Sequence, residues 1–353
     1  MTHRCSARKH DCQVVRSEGY LSNPTQVAYD CWVKSNRSIA PNGSLMRTHP
    51  LGVICLAATL PETFQIAANY SAITHPDPRC IVACCTVTGL IRGILRGEVL
   101  HEGNIDEMID EAFTWVGEWV QRRARGGTSG SDCNPEENEL QEHGALLEME
   151  EYSRHAKATS FQELELDDSQ KMGYVYKAFG AAIMALRLGM RQAGYGPECR
   201  SDGPAKEPPP TIFETIITEL TLEGGDADTN ACVAGALLGC WFGHNSLPPQ
   251  WRDGMQHVAW MVGKCQALGQ TVGGENSFVD PRLQPRYKGS EDSDTAIDGG
   301  KGLMSAEELK ERDKEFMYQY LKRSNEASER EKKRLDAKKK AATLGGMFAS
   351  LKW

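Results

Sequence analysis

Two carboxylates and a hydroxyl fall within four positions of "GGDADTN" (224–230): Asp226, Asp228 and Thr229. All three are oxygen donors, the ligand type that Mg²⁺ and other hard cations take, at about six oxygens per ion. Gly224 and Gly225 precede them. Glycine reaches backbone geometry that other residues resist and lets a ligand approach the main chain. One Asp-x-Asp-Thr does not fill a cation's shell, so a metal site here needs ligands from other segments or from water. The same residues have a purely structural reading. A helix begins with unpaired N–H groups and a positive dipole end, and Asp226 or Asp228 would satisfy both as a cap.

Two other stretches carry polar groups at the start of apolar segments. "APNGSLMRTHPLG" (40–52) offers Asn42, Gly43, Ser44 and Met46, and Asn-Gly is also a common turn. "ITHPDPRC" (73–80) offers His75 ahead of Pro76, where a helix-entry role is the plain alternative.

The elements that must position these residues read as helices. In "NIDEMIDEAFTWVGEWVQRRA" the residues Ile105, Met108, Ile109, Ala112, Trp115, Val116 and Trp119 recur at helical spacing. Asn104 is the expected N-cap, with Asp106 and Glu107 in the first turn. "TIFETIITELTL" is rich in β-branched residues, yet Ile212, Phe213, Ile216, Ile217 and Leu220 keep helical spacing and predict a helix. Small apolar residues continue from the Asp-x-Asp pair through "ACVAGALLG". Few segments alternate with period two, so the predicted fold class is all-α. Residues 1–25 read as unordered, 26–278 as the helical domain and roughly 124–160 as a polar insert within it. The acidic run "NPEENELQEHGALLEMEE" (134–151) reads as solvated, 279–304 as a linker and 305–353 as a charged helical tail. Ser305 and Glu308 have capping-box spacing at the start of that tail, which is either a solvated helix or a helix for a protein partner.

Composition bounds the function. The chain has 353 residues, 40% of them hydrophobic and 25% charged, enough to bury a large core. A net charge of −8 argues against non-specific nucleic-acid binding. No apolar run reaches the ~20 residues that span a bilayer, and the N-terminus lacks the apolar core of a secretory signal. The expected compartment is intracellular, cytoplasmic or nuclear, with no membrane partner. None of the 12 cysteines forms a CxxC pair, so they read as reduced, mostly buried thiols.

"EGGDADTNACVAGALLGCWFG" closely resembles the C-terminal metal motif of the ADP-ribosylglycohydrolase family, the relatives of dinitrogenase reductase-activating glycohydrolase. "APNGSLMRTHPLG" resembles the family's glycine-bearing loop, "ITHPDPRC" its Thr-His motif, and "LPPQW" (247–251) its continuation after the metal helix. The motifs keep the family's order and cover roughly 26–275. The resemblance implies an orthogonal helical bundle around a cleft with two Mg²⁺ ions, cleaving ADP-ribose from proteins or related conjugates. It implies that Asp226, Asp228 and Thr229 are metal ligands. It implies that Asn42, Gly43, Ser44 and Met46 line the ADP-ribose site, with Gly225 beside them and His75 in the substrate cleft.

The family's N-terminal Gly-Asp-Ala-x-Gly helix and its Thr-Asp-Asp motif have no counterpart in this sequence. Half of the implied metal shell, and the acidic residues proposed for catalysis, belong to that segment; the catalytic residue is therefore left unassigned. Three readings follow: a sequence that starts late in an active hydrolase, a divergent member that binds the nucleotide without hydrolysing it, or a hydrolase whose acidic run at 134–151 supplies substitute carboxylates. The first is the leading expectation, with Mg²⁺ held by an incomplete ligand set and hydrolysis impaired.

Overall fold

The computed structural model describes residues 14–124, 144–194, 211–255 and 258–273, and single positions between 307 and 322. The expectations for 1–13, 125–143 and 279–304, the Ser305–Glu308 capping box and most of the tail lie outside the described residues. Two compact units divide the chain, 1–284 and 285–353. In the second, the described positions are helical and exposed, with Lys314 paired to Glu311 at 2.9 Å.

Among the described residues of the first unit there are helices and no strand, with one isolated bridge between Pro41 and Tyr174. In chain order its helices are α1 (Pro24–Lys34), α2 (Leu45–Thr48), α3 (Leu51–Ile54), α4 (Leu60–Ala72), α5 (Pro78–Leu95) and α6 (Glu102–Ala124). They continue as α7 (Met149–Ala156), α8 (Val175–Gln192), α9 (Thr211–Leu222), α10 (Ala227–Phe242), α11 (Pro249–Arg252) and α12 (Val258–Gly273). The all-α bundle is the fold the sequence pattern predicts.

Helices α5, α8 and α10 form the centre. All but three residues of α5 are buried, so its apolarity, long enough to meet the test for a membrane span, is that of a core helix. α8 lies between α7, α9, α10 and α5. Gly180 lets α7 approach closely: a Cβ there would sit 2.6 Å from the His155 carbonyl oxygen. The predicted face of α6 is buried at Ile105, Met108, Ile109, Ala112, Val116 and Trp119, with Trp115 at its margin. α9 buries Ile216 and Leu220, as its helical spacing requires.

Three expectations change. Helix α6 begins at Glu102, not after an Asn104 cap. Arg191 holds the Glu102 carboxylate at 2.6 and 2.7 Å and draws that residue into the first turn. Asn104 instead accepts from the Leu100 N–H at 3.2 Å. Residues 14–23, expected to be unordered, form turns anchored by the fully buried Val14. The back of the presumed polar insert enters the core. Tyr152 of α7 is fully buried, stacks on Phe179 at 5.2 Å, and places its hydroxyl 2.7 Å from Thr86 Oγ1. Glu150 and Glu151 flank it on the same short helix, so one face of that segment is solvated while the other is core.

Candidate functional site

Helix α10 begins at the Gly-Gly turn. Gly224 and Gly225 both have positive φ, +76° and +68°. At Gly225 the requirement is double, because a Cβ would lie 1.9 Å from the Leu166 carbonyl oxygen. That carbonyl belongs to the segment between α7 and α8, which is pinned by buried Phe161, Leu164 and Leu166. Lys177 fastens it further: its ammonium donates to the Glu165 carbonyl and pairs with Asp168 at 3.8 Å. The polar sequence "ELELDD" concealed this support, and the spaced Phe161, Leu164 and Leu166 are the signal that reveals it.

Asp226 occupies the N-cap position of α10, but its side chain makes no capping bond to a backbone N–H of that helix. Its carboxylate accepts instead from the Asn42 amide at 2.7 Å. Asp228 does bond locally, accepting from the Thr229 N–H at 2.9 Å. Burial raises the Asp226 carboxyl above its ordinary range; the Asn42 bond opposes this, and the neighbouring Asp228 adds to it. The Asp226 side chain thus acts across the bundle rather than as a helix cap.

The glycine loop is held from three sides. Asn42 N–H donates to the Gly173 carbonyl at 3.1 Å, Val175 N–H donates to Ala40 at 2.9 Å, and Cys80 Sγ reaches the Pro41 carbonyl at 3.3 Å. Asn42 and Ser44 are buried, while Met46 is exposed. Thr229 Oγ1 lies 3.7 Å from Met46 Sδ, a second contact between the loop and the start of α10.

His75 is buried at the turn before α5, its Nδ1 2.7 Å from Thr74 Oγ1. The helix-entry role falls to Asp77, whose carboxylate caps the Arg79 N–H at 2.9 Å ahead of Pro78. Asp77 also accepts from Trp32 Nε1 at 3.0 Å and from the Arg79 guanidinium at 2.7 Å. Ser71 Oγ donates to the His75 carbonyl at 3.1 Å and lies 3.0 Å from Ser44 Oγ, linking the Thr-His turn to the glycine loop. Local spacing did not single out Ser71, Thr74, Asp77 or Arg47, because each works through a partner distant in sequence.

The structure brings Asn42, Met46, Asp226 and Thr229 into direct contact, with Asp228 beside them, and ties His75 to the loop through Ser71. Among the described residues, no three or more His, Cys, Asp or Glu side chains are grouped to hold a metal ion.

The family model described as ADP-ribosylglycohydrolase matches residues 6–276. A putative ADP-ribosyl glycohydrolase of Acanthamoeba polyphaga mimivirus is 44% identical over 41 residues. That match spans 12% of this chain and 12% of the relative's own length. No solved structure matches.

Proposed function

The chain belongs to the ADP-ribosylglycohydrolase family, and from that premise we propose that its site binds the ADP-ribose of a modified protein or related conjugate and removes it by hydrolysis. The Asn42–Asp226 hydrogen bond supports this most directly, since it joins the loop that resembles the family's ADP-ribose loop to the segment that resembles its metal motif.

Mg²⁺ suits the donor chemistry of Asp226, Asp228 and Thr229. Burial and the Asp228 carboxylate both push the Asp226 carboxyl up, and a cation between them reverses that pressure. Three residues supply about half of an Mg²⁺ shell, leaving the rest to water or ribose hydroxyls. With no Thr-Asp-Asp in the chain, binding is weak and turnover low. When bound, the ion stabilises negative charge developing on oxygen as the glycosidic bond breaks. The chain's own residues do the positioning. Asn42 orients the Asp226 carboxylate, and the Gly224–Gly225 turn sets the start of α10.

The test is release of ADP-ribose from a modified peptide by the full chain, measured from zero to saturating Mg²⁺. Slow release that rises with Mg²⁺ and disappears in Asp228→Ala is expected. Absence of both release and ADP-ribose binding at every Mg²⁺ concentration overturns the proposal. A second reading, an ADP-ribose-binding module, is favoured by the lack of a metal-holding trio among the described residues. It predicts calorimetric ADP-ribose binding that neither Mg²⁺ nor Asp228→Ala alters, with no release.

A further inference from the structure

Arg47 follows the glycine loop on α2 and bridges it to the Thr-His turn. Its guanidinium donates to the Gly43 carbonyl at 2.9 Å and to Thr74 Oγ1 at 2.5 Å, with a longer bond to the Tyr70 carbonyl at 3.5 Å. Thr74 Oγ1 also lies 2.7 Å from His75 Nδ1, and both Thr74 and His75 are buried.

The direction of these bonds decides the form of the imidazole. A guanidinium has only donors and stays charged, so Thr74 Oγ1 accepts from Arg47. The hydroxyl keeps one proton to donate. Its other polar side-chain neighbour among the described residues is His75 Nδ1. An Nδ1–H aimed at this oxygen would leave the buried O–H without an acceptor, which costs about 1–3 kcal/mol. The O–H therefore donates to Nδ1, and the ring proton resides on Nε2.

We propose that Arg47 is a positioning residue which, through Thr74, holds His75 as the neutral Nε2–H tautomer and makes it a hydrogen-bond donor at Nε2. The inference rests on the proposed function only for the place in the substrate cleft that the family resemblance implies for His75; the tautomer stands on its own geometry. Three anchors fix the backbone around the ring: Ser71 holds the His75 carbonyl, Arg47 holds the loop carbonyl of Gly43, and Asp77 caps the helix that follows.

Long-range ¹H–¹⁵N correlation spectra of the ¹⁵N-labelled full chain without ligand test this, with His75 assigned by its loss in His75→Gln. The expected spectrum has Nδ1 in the unprotonated range and Nε2 in the protonated range. Thr74→Val and Arg47→Met should mix the tautomers, while Thr74→Ser and Arg47→Lys, which keep the donors, should retain the pattern. ADP-ribose affinity should fall about tenfold in Arg47→Met, equivalent to ~1.4 kcal/mol. A protonated Nδ1 in the unmodified chain, or an unchanged tautomer in folded Thr74→Val, overturns the proposal. Absence of ADP-ribose binding in the unmodified chain, with the tautomer as expected, would instead overturn the proposed function.

Discussion

The Asn42 amide donates to the Asp226 carboxylate at 2.7 Å across 184 residues of chain. Asn42 is buried and Asp226 half-buried, so the bond joins the glycine loop to the start of α10 in an environment with little water to replace it. The bond fixes where one carboxylate oxygen of the Asp-x-Asp-Thr segment points. The other motif contacts are secondary to it.

Removing that donor should be felt in both stability and metal affinity. Asn42→Ala takes a charge-assisted hydrogen bond from a partly buried carboxylate, a change of about 2 kcal/mol. Urea denaturation of the metal-free chain should show that loss, and Mg²⁺ titration should show weaker binding. A stability change below ~0.5 kcal/mol would mean that water replaces the amide without penalty.

The sign of the Asp226 shift leads to an unusual expectation. A carboxyl whose folded-state pKa is raised binds more protons folded than unfolded. Stability therefore falls as pH rises from the unfolded pKa, about 3.9, through the raised folded value, and the penalty is complete above it. Asp226→Asn removes the penalty but keeps an oxygen to accept from Asn42. At pH 7 without metal the variant should melt higher than the unmodified chain, by about 2–4 °C at most, since the group is half-exposed. Below the unfolded pKa the two should converge. Added Mg²⁺ should raise the melting temperature of the unmodified chain alone, because only its folded state binds the ion. A lower melting temperature for Asp226→Asn at pH 7 would refute the assigned direction.

Gly225→Ala should be severely destabilising, by about 3 kcal/mol or more, since it combines left-handed backbone with a clash against a carbonyl anchored by core side chains. Gly235→Ala is the matched control. It lies in the middle of α10, where a Cβ meets only Phe213 at 3.9 Å. There alanine should be neutral or stabilising by up to ~1 kcal/mol, because it favours helix. Similar losses at both positions would show that the Gly-Gly turn is not specially constrained.

Tyr152→Ala should lose about 3–5 kcal/mol, as for a large buried aromatic. Tyr152→Phe should lose only ~1 kcal/mol, the worth of the hydroxyl's bond with Thr86. A near-neutral Tyr152→Ala in denaturant titration would return this segment to the solvated insert that its charge suggests.

The sequence alone determined the helical character and the buried faces of the longer helices, because a helix on a core repeats its apolar residues every three to four positions. The face of α6 from Ile105 to Trp119 and that of α9 from Ile212 to Leu220 were legible for this reason. The Asp-x-Asp-Thr at the start of an apolar helix was legible as an oxygen-donor motif, and its surroundings as a family resemblance. Tyr152 was not, because an eight-residue helix with acidic neighbours is too short for periodicity to separate its buried face from its solvated one. Only the tertiary structure decided that Asp226 serves Asn42 rather than its own helix, that Asp77 rather than His75 caps α5, and that Arg47 reaches His75 through Thr74. Those outcomes depend on which distant groups the packing brings within about 3 Å, and a hydrogen bond between distant segments leaves no periodic trace in the chain that makes it.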